Sequence, residues 1–137
     1  MRLTGCVQAL AVACSVVLGT SGCAGKTIGA GDVTVLVSEH TGSGMDAQGG
    51  GSLEVVGGCL GAGGAVVVWP YGTEVITDEP LTIEVPGYGT FALGDSVQVA
   101  GGYVLEHSSD AVSPGPYDVA GVTVPAACAE HDIFLAH

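Results

Sequence analysis

Residues 65–85, AVVVWPYGTEVITDEPLTIEV, decide the fold class of this chain. A Val-rich run at 65–69 ends at a Pro-Tyr-Gly turn, and a second short run at 74–77 ends at Asp-Glu-Pro. Residues 81–85 then alternate apolar and polar side chains with a period of two, which is typical of a half-buried strand. Short strands separated by Gly and Pro predict an all-β domain.

The same pattern continues on both sides of this stretch. Further strands are predicted at residues 33–39, 52–60, 90–93, 96–104 and 127–135, with flexible or loop-like connections at 41–51 and 106–125. The apolar spacing of three and four residues that marks an amphipathic helix is missing from the sequence. Strands of about five residues at spacings near ten predict a small antiparallel β-barrel, OB- or SH3-like, of six to eight short strands. A two-sheet β-sandwich is the alternative.

Residues 1–22 have the three parts of an export signal. Met1-Arg2 places a positive charge at the start, an apolar run follows at 9–18, and small residues occupy 19–22. The alternative is a membrane-spanning helix, which needs about 20 consecutive apolar residues, roughly twice the length of this run. We therefore expect the chain to be exported and residues 1–22 to be removed as a signal peptide.

The end of this leader, Thr20-Ser21-Gly22-Cys23, resembles the lipobox of bacterial lipoproteins, in which small residues precede a cysteine. It departs from the usual pattern at Thr20, where that family has Leu, Val or Ile. The resemblance implies that Cys23 receives diacylglycerol and becomes the first residue of the mature chain. Residues 23–31 would then be a lipid-anchored tether and 32–137 a single β-domain. Cleavage by an ordinary signal peptidase near the same place would instead release a secreted protein.

The five cysteines fit the same expectation. Cys6 and Cys14 lie in the leader and would be removed, and Cys23 would carry the lipid. Cys59 and Cys128 remain as an even pair, which in an oxidising compartment predicts one disulfide. The alternative is two buried free thiols, and no spacing of cysteines or histidines indicates a zinc site.

The charge of the chain excludes two classes of function. It has 14 acidic residues against two basic ones, Arg2 and Lys26, and a formal net charge of −12. Nucleic-acid binding needs Lys or Arg to neutralise phosphates, so we expect no nucleic-acid partner. Kinase-like chemistry on a Walker-type phosphate loop also needs a Lys, and none follows position 26, so this class is excluded as well.

The central part of the chain carries a second resemblance. Residues 66–73, VVVWPYGT, residues 93–97, LGDSV, and the late Cys128 resemble small secreted or lipid-anchored actinobacterial proteins of uncharacterised function. The resemblance spans about residues 52–135. It implies a small extracytoplasmic domain and brings no catalytic residues.

The aromatic residues suggest one candidate binding surface. Trp69, Tyr71, Tyr88 and Tyr103 could line a carbohydrate- or peptide-binding face, because aromatic rings offer large contact area with a polar tip. The alternative is that Trp69 is the largest core residue of a Val-rich barrel and that the tyrosines cover its ends.

Two chemical alternatives rest on weaker patterns. Imidazole beside carboxylate can bind zinc or copper, and the four histidines are His40, His107, His131 and His137. No ligand spacing connects them, and solvated surface histidines are the alternative. A hydrolase would need Ser96, His107 and Asp110 to converge, yet Ser96 lacks the Gly-x-Ser-x-Gly context of a nucleophile elbow.

These observations together predict an exported, lipid-anchored protein of the cell envelope. We expect it on the extracytoplasmic face of the membrane, or secreted if Cys23 is not acylated. Its role would be binding or structural rather than catalytic, without a cofactor or a dedicated metal. The partner would be the membrane through the N-terminal lipid, together with an envelope protein or glycan.

Overall fold

The computed structural model describes residues 25–39, 46–108 and 115–137, and these form twelve β-strands and one 3-10 turn. The strands are β1 (Lys26–Ala30), β2 (Val33–Val37), β3 (Ala47–Val56), β4 (Cys59–Ala62), β5 (Ala65–Trp69), β6 (Glu74–Asp78), β7 (Leu81–Val85), β8 (Gly89–Ala92), β9 (Ser96–Leu105), β10 (Tyr117–Val119), β11 (Val122–Val124) and β12 (Ile133–Ala136). The 3-10 turn, Cys128–Glu130, precedes β12. The all-β class is therefore confirmed. None of the helical structure in these residues is long and apolar enough to cross a bilayer.

Five strands close into a barrel. In the order β3, β4, β5, β12, β9, each strand pairs with the next, and β9 pairs again with β3. Four of these contacts are antiparallel, and β5–β12 is parallel. Two successive hairpins followed by a parallel contact between the third and fifth strands are the connectivity of an OB-fold barrel. The pairings thus close a barrel rather than stacking two sheets.

The two hairpins of the barrel have tight glycine turns. Gly57-Gly58 joins β3 to β4, and Gly63-Gly64 joins β4 to β5, and all four residues have positive φ. Two-residue hairpin turns need such angles because their twist then matches that of the flanking strands. These turns fix the register in which Leu53 lies opposite Ala62 and Gly61 opposite Val66.

Three further elements surround the barrel. The β1–β2 ribbon joins it through β2, which pairs in parallel with both β4 and β5. The β6–β7–β8 sheet lies between β5 and β9 in sequence, and its inward residues Leu81, Ile83 and Val85 are part of the barrel core. The β10–β11 hairpin, between β9 and β12 in sequence, packs on the outside.

The central strand β5 contributes to two separate cores. Val67 and Trp69 belong to what we call the inner cluster, whereas Val66 and Val68 belong to the outer cluster. The inner cluster comprises Ala30, Val35, Val37, Leu53, Leu60, Ala62, Val67, Trp69, Leu81, Ile83, Val85, Val97, Val99, Phe134 and Ala136. The outer cluster comprises Leu36, Val56, Cys59, Val66, Val68, Val122, Val124, Cys128, Ala129 and Ile133. All five residues of β5 are buried because both of its faces are covered.

Several sequence predictions of element boundaries are wrong. Six to eight strands were expected, and the described residues contain twelve. β1 falls inside the predicted tether 23–31, where it pairs with all five residues of β2. β3 begins at Ala47, inside the predicted connection 41–51, because its Gly-rich half pairs with β9. Three pairings, β2–β4, β2–β5 and β5–β12, are parallel rather than antiparallel.

The region near the carboxyl end also differs from its prediction. Residues 106–125, expected to be loop-like, contain β10 and β11, each only three residues long and too short for a period to be recognised. The expected closing strand at 127–135 begins as the 3-10 turn, and β12 itself is four residues long. The barrel therefore closes through a shorter strand than predicted.

Candidate functional site

The outer face of the barrel is covered by the chain itself. OB-fold barrels bind oligonucleotides and oligosaccharides on the face of their second and third strands, which here are β4 and β5. On that face Val66 and Val68 are 0% exposed, and Val122, Val124 and Ala129 pack over them in the outer cluster. The β10–β11 hairpin and the 3-10 turn therefore occupy the surface that such barrels offer to ligands.

A disulfide holds this cover in place. Cys59 on β4 is bonded to Cys128 in the 3-10 turn, with a Cα–Cα distance of 5.9 Å. The predicted disulfide is thus confirmed, although it ties the 3-10 turn, not the last strand, to the barrel. Both cysteines are buried. In the chain-entropy model, closing a loop across a separation of 69 residues stabilises the fold by about 4 kcal/mol.

Trp69 belongs to the core and not to an exposed aromatic surface. Its side chain is 0% exposed, and its indole N–H donates a hydrogen bond of 3.2 Å to the carbonyl of Leu60. Burying this large ring inside the barrel satisfies its polar atom as well as its apolar area. Trp69 is therefore a core residue of the barrel, which was the alternative interpretation of the sequence.

The three tyrosines of the predicted surface lie on different elements. Tyr71 follows β5 and is 47% exposed, whereas Tyr88 precedes β8, where its hydroxyl donates to the carbonyl of His137. Tyr103 on β9 packs edge-on against Phe134, with ring centroids 5.2 Å apart. Tyr88 and Tyr103 therefore contact other parts of this chain, and a ligand-binding role for the three tyrosines stays a prediction.

An apolar groove lies beside the outer cluster. It has a volume of about 410 Å³ and is lined by Val104, Leu105, Tyr117, Asp118, Val119, Ala120, Ile133 and Leu135. The groove exists because the short hairpin covers β5 fully but leaves Leu105 and Leu135 of the neighbouring strands half-buried. Asp118 contributes the single carboxylate of the lining.

Sequence reasoning missed this groove because it assigned residues 106–125 to a loop. A signal was nevertheless present. Tyr117 and Val119 precede the Ala120-Gly121 pair, and Val122 and Val124 follow it, which is the alternation of a short hairpin around a turn. Three-residue strands give too few repeats for that signal to stand out.

The residues suggested for a hydrolase do not converge in the part of the chain that is described. Ser96 begins β9 and His107 follows its end, so roughly 30 Å of extended strand separates them. Asp110 lies outside the described residues. Ser96 instead lines a small polar pocket of about 320 Å³ with residues 48–51 and Gln98.

His107 is engaged in local contacts. The Nε2 of His107 lies 3.1 Å from the carbonyl oxygens of both Ala129 and His131, and its backbone N–H donates to Asp132. His40 is outside the described residues. Within residues 25–39, 46–108 and 115–137, no group of three or more His, Cys, Asp or Glu side chains could hold a metal ion.

The comparisons with known proteins add no relative. No protein-family model matches the chain, and neither a curated protein nor a solved structure matches it.

Proposed function

We propose that the chain is an exported protein, anchored through a lipid on Cys23 to the extracytoplasmic face of a bacterial membrane. Its role there is non-catalytic, either binding or structural support in the cell envelope. The leader at residues 1–22 and the lipobox-like Thr20–Cys23 support export and acylation.

The observation that carries this proposal is the buried pair Cys59–Cys128. Structural disulfides persist in oxidising compartments and are rare in the cytosol. Here the bond joins the only two cysteines that follow Cys23. Their pairing inside the fold is what export predicts, and it leaves Cys23 available for acylation.

The covered barrel face and the charge of the chain both argue against nucleic-acid binding. The face used by OB-fold barrels for oligonucleotides is filled by Val122 and Val124. After removal of the leader, Lys26 is the one basic residue beside 14 acids, so phosphate backbones would be repelled. The exposed apolar groove remains as a contact surface for a membrane or an envelope component.

The test compares two cysteine variants of the full chain in a bacterium with lipoprotein-processing enzymes. We expect the wild-type chain in the membrane fraction, labelled by a fatty-acid probe, and Cys23→Ser in the soluble extracytoplasmic fraction without label. The matched control is Cys14→Ser, which alters a leader cysteine and should leave labelling and fractionation unchanged. Globomycin should cause the unprocessed precursor to accumulate.

Three results would count against the proposal. Membrane retention of Cys23→Ser equal to that of the wild type would exclude the lipid as the anchor. Release of the processed wild-type chain into the medium without a fatty-acid label would instead establish the secreted alternative. Rapid alkylation of Cys59 and Cys128 without reductant would remove the support from the disulfide.

A further inference from the structure

The folded domain begins very close to the proposed anchor. Only Ala24 and Gly25 separate Cys23 from Lys26, the first residue of β1. Three extended residues span at most about 10 Å. If Cys23 is acylated as proposed above, the barrel cannot extend away from the bilayer on a long linker.

Gly25 fixes which end of the domain lies at the anchor. A Cβ atom on Gly25 would come within 2.7 Å of the Gly121 carbonyl and 3.0 Å of the Val122 Cβ. The chain therefore leaves the fold directly against the tip of the β10–β11 hairpin. A side chain at position 25 would force these two segments apart.

The apolar groove begins at this same tip. Ala120, which precedes Gly121, lines the groove, and the lining continues along β10 to Tyr117 and across to Val104. Among the apolar residues of the lining, Val104 is 39% exposed and all the others except Ile133 are partly exposed. Exposed apolar surface that is continuous along a groove marks protein or membrane contact sites.

We propose that the groove docks on the lipid bilayer that holds Cys23, with Val104 in the interfacial layer. This inference rests on the proposed acylation. Because the linker from Cys23 is short and Gly25 packs against Gly121, the groove lies at the membrane surface. We therefore infer that the bilayer itself, and not a soluble partner, contacts the groove.

The chemistry of the groove suits a shallow interfacial contact. Tyr117 lines the groove, and tyrosine is enriched at membrane–water interfaces, where its ring sits among apolar groups and its hydroxyl reaches water. Interfacial elements insert apolar residues to a depth of about 5–10 Å, so Asp118 can remain among the headgroups. The mature chain is strongly acidic, so this contact rests on the apolar lining and not on attraction to anionic headgroups.

The test measures the depth of two positions on the intact acylated chain. Val104→Cys and Leu93→Cys replace apolar residues of nearly equal exposure, 39% and 40%. Val104 lies near the end of β9 and Leu93 precedes its start, so they report on opposite ends of one strand. Each variant is labelled with a polarity-sensitive maleimide dye and reconstituted in phosphatidylcholine vesicles containing brominated lipids.

We expect the dye at position 104 to shift to shorter wavelength and to be quenched several-fold more than the dye at position 93. Asp118→Cys, an exposed position on the groove, provides a second reporter should Val104→Cys fold poorly. A flexible Gly-Ser insertion between Ala24 and Gly25 should keep the chain on the vesicles while reducing quenching at position 104.

The outcomes separate this inference from the proposed function. If the wild-type chain does not co-float with vesicles, both the proposed lipid anchor and the proposed docking are wrong. If the chain co-floats but the dyes at positions 93 and 104 are equally quenched, the docking is overturned and the anchor stands. Undiminished quenching after the Gly-Ser insertion would likewise overturn the role of the short linker.

Discussion

The inner and outer clusters lie on opposite faces of the same strands but are held together differently. The inner cluster is enclosed by a ring of strands, and Trp69 and Phe134 are its largest fully buried side chains. Among the residues that the structure describes, the outer cluster is covered by two three-residue strands and one 3-10 turn. Isolated two-stranded hairpins are marginally stable in water, so this cover depends on what fastens it.

The disulfide supplies that fastening. Cys59 belongs to the barrel and Cys128 to the cover, so the bond joins the two sides of the outer cluster directly. The inner cluster has no such bond and is stabilised by burial and strand pairing. We infer that this small chain uses a covalent link where its elements are too short to hold by packing.

The largest expected effect is the loss of the largest side chain of the inner cluster. Trp69→Ala should destabilise the fold by about 5 kcal/mol, the upper end for such truncations, because the Leu60 carbonyl also loses its partner. Urea denaturation followed by circular dichroism measures the change. Trp69→Phe, which keeps most of the volume, should cost clearly less, and equal losses for both variants would contradict the packing argument.

Removal of the disulfide should have the next largest effect. Cys59→Ala with Cys128→Ala should cost about 4 kcal/mol of unfolding free energy, because the unfolded chain regains the freedom that the bond removes. Reduction of the wild-type chain should give a similar loss. Hydrogen exchange should show β10 and β11 opening while β9 stays protected, and simultaneous opening of β9 would mean that the two clusters are one cooperative unit.

A single truncation in the cover should have a smaller, local effect. Val124→Ala removes two methyl groups from a fully buried position of the outer cluster and should cost about 2 kcal/mol. The matched control is Thr123→Ala, on the exposed face of the same strand, where an exposed hydrogen bond of 2.8 Å to Asp118 is lost. We expect faster exchange of the β11 amides in Val124→Ala than in Thr123→Ala, and the reverse order would contradict the packing of β11 on the barrel.

The same contrast explains what could be predicted from the sequence. The inner cluster follows local patterns, so β5 and β7 were predicted with their observed bounds and β9 to within one residue. The outer cluster depends on β10 and β11, whose three-residue strands are too short to show a period. Counting cysteines still identified the bond that holds the cover, because pairing depends on composition and compartment and not on strand length.

The groove and the position of the anchor needed coordinates. The groove is formed by β9, β10 and β12, of which β9 and β12 pair while β10 belongs to a separate hairpin, so they come together only in the tertiary structure. The contact of Gly25 with Gly121 joins segments almost a hundred residues apart in sequence. Small-residue composition predicted a tether at 23–31, whereas pairing with β2 makes most of it a strand.

Tyr88 lies outside both clusters and should give the smallest effect. Its hydroxyl donates to the carbonyl of His137 and accepts from the N–H of Ala100, both at 2.9 Å, while the N–H of His137 donates to the carbonyl of Ala100 at 3.0 Å. The hydroxyl thus bridges Ala100 and His137, which lie next to the last β9–β12 pair, Gly101 and Ala136. Tyr88→Phe removes two exposed hydrogen bonds, which water can replace in part, and should cost about 1 kcal/mol.

Urea denaturation measures this change, with Tyr103→Phe as the control, since that variant keeps the ring contact with Phe134 and should change stability less. The expected signature of Tyr88→Phe is local, with faster hydrogen exchange at Ala100 and His137 and unchanged protection of β5. A loss as large as that of Val124→Ala would mean that strand pairing at this edge, rather than burial in the two clusters, limits stability. The contrast between the clusters would then describe where side chains lie but not what holds the fold together.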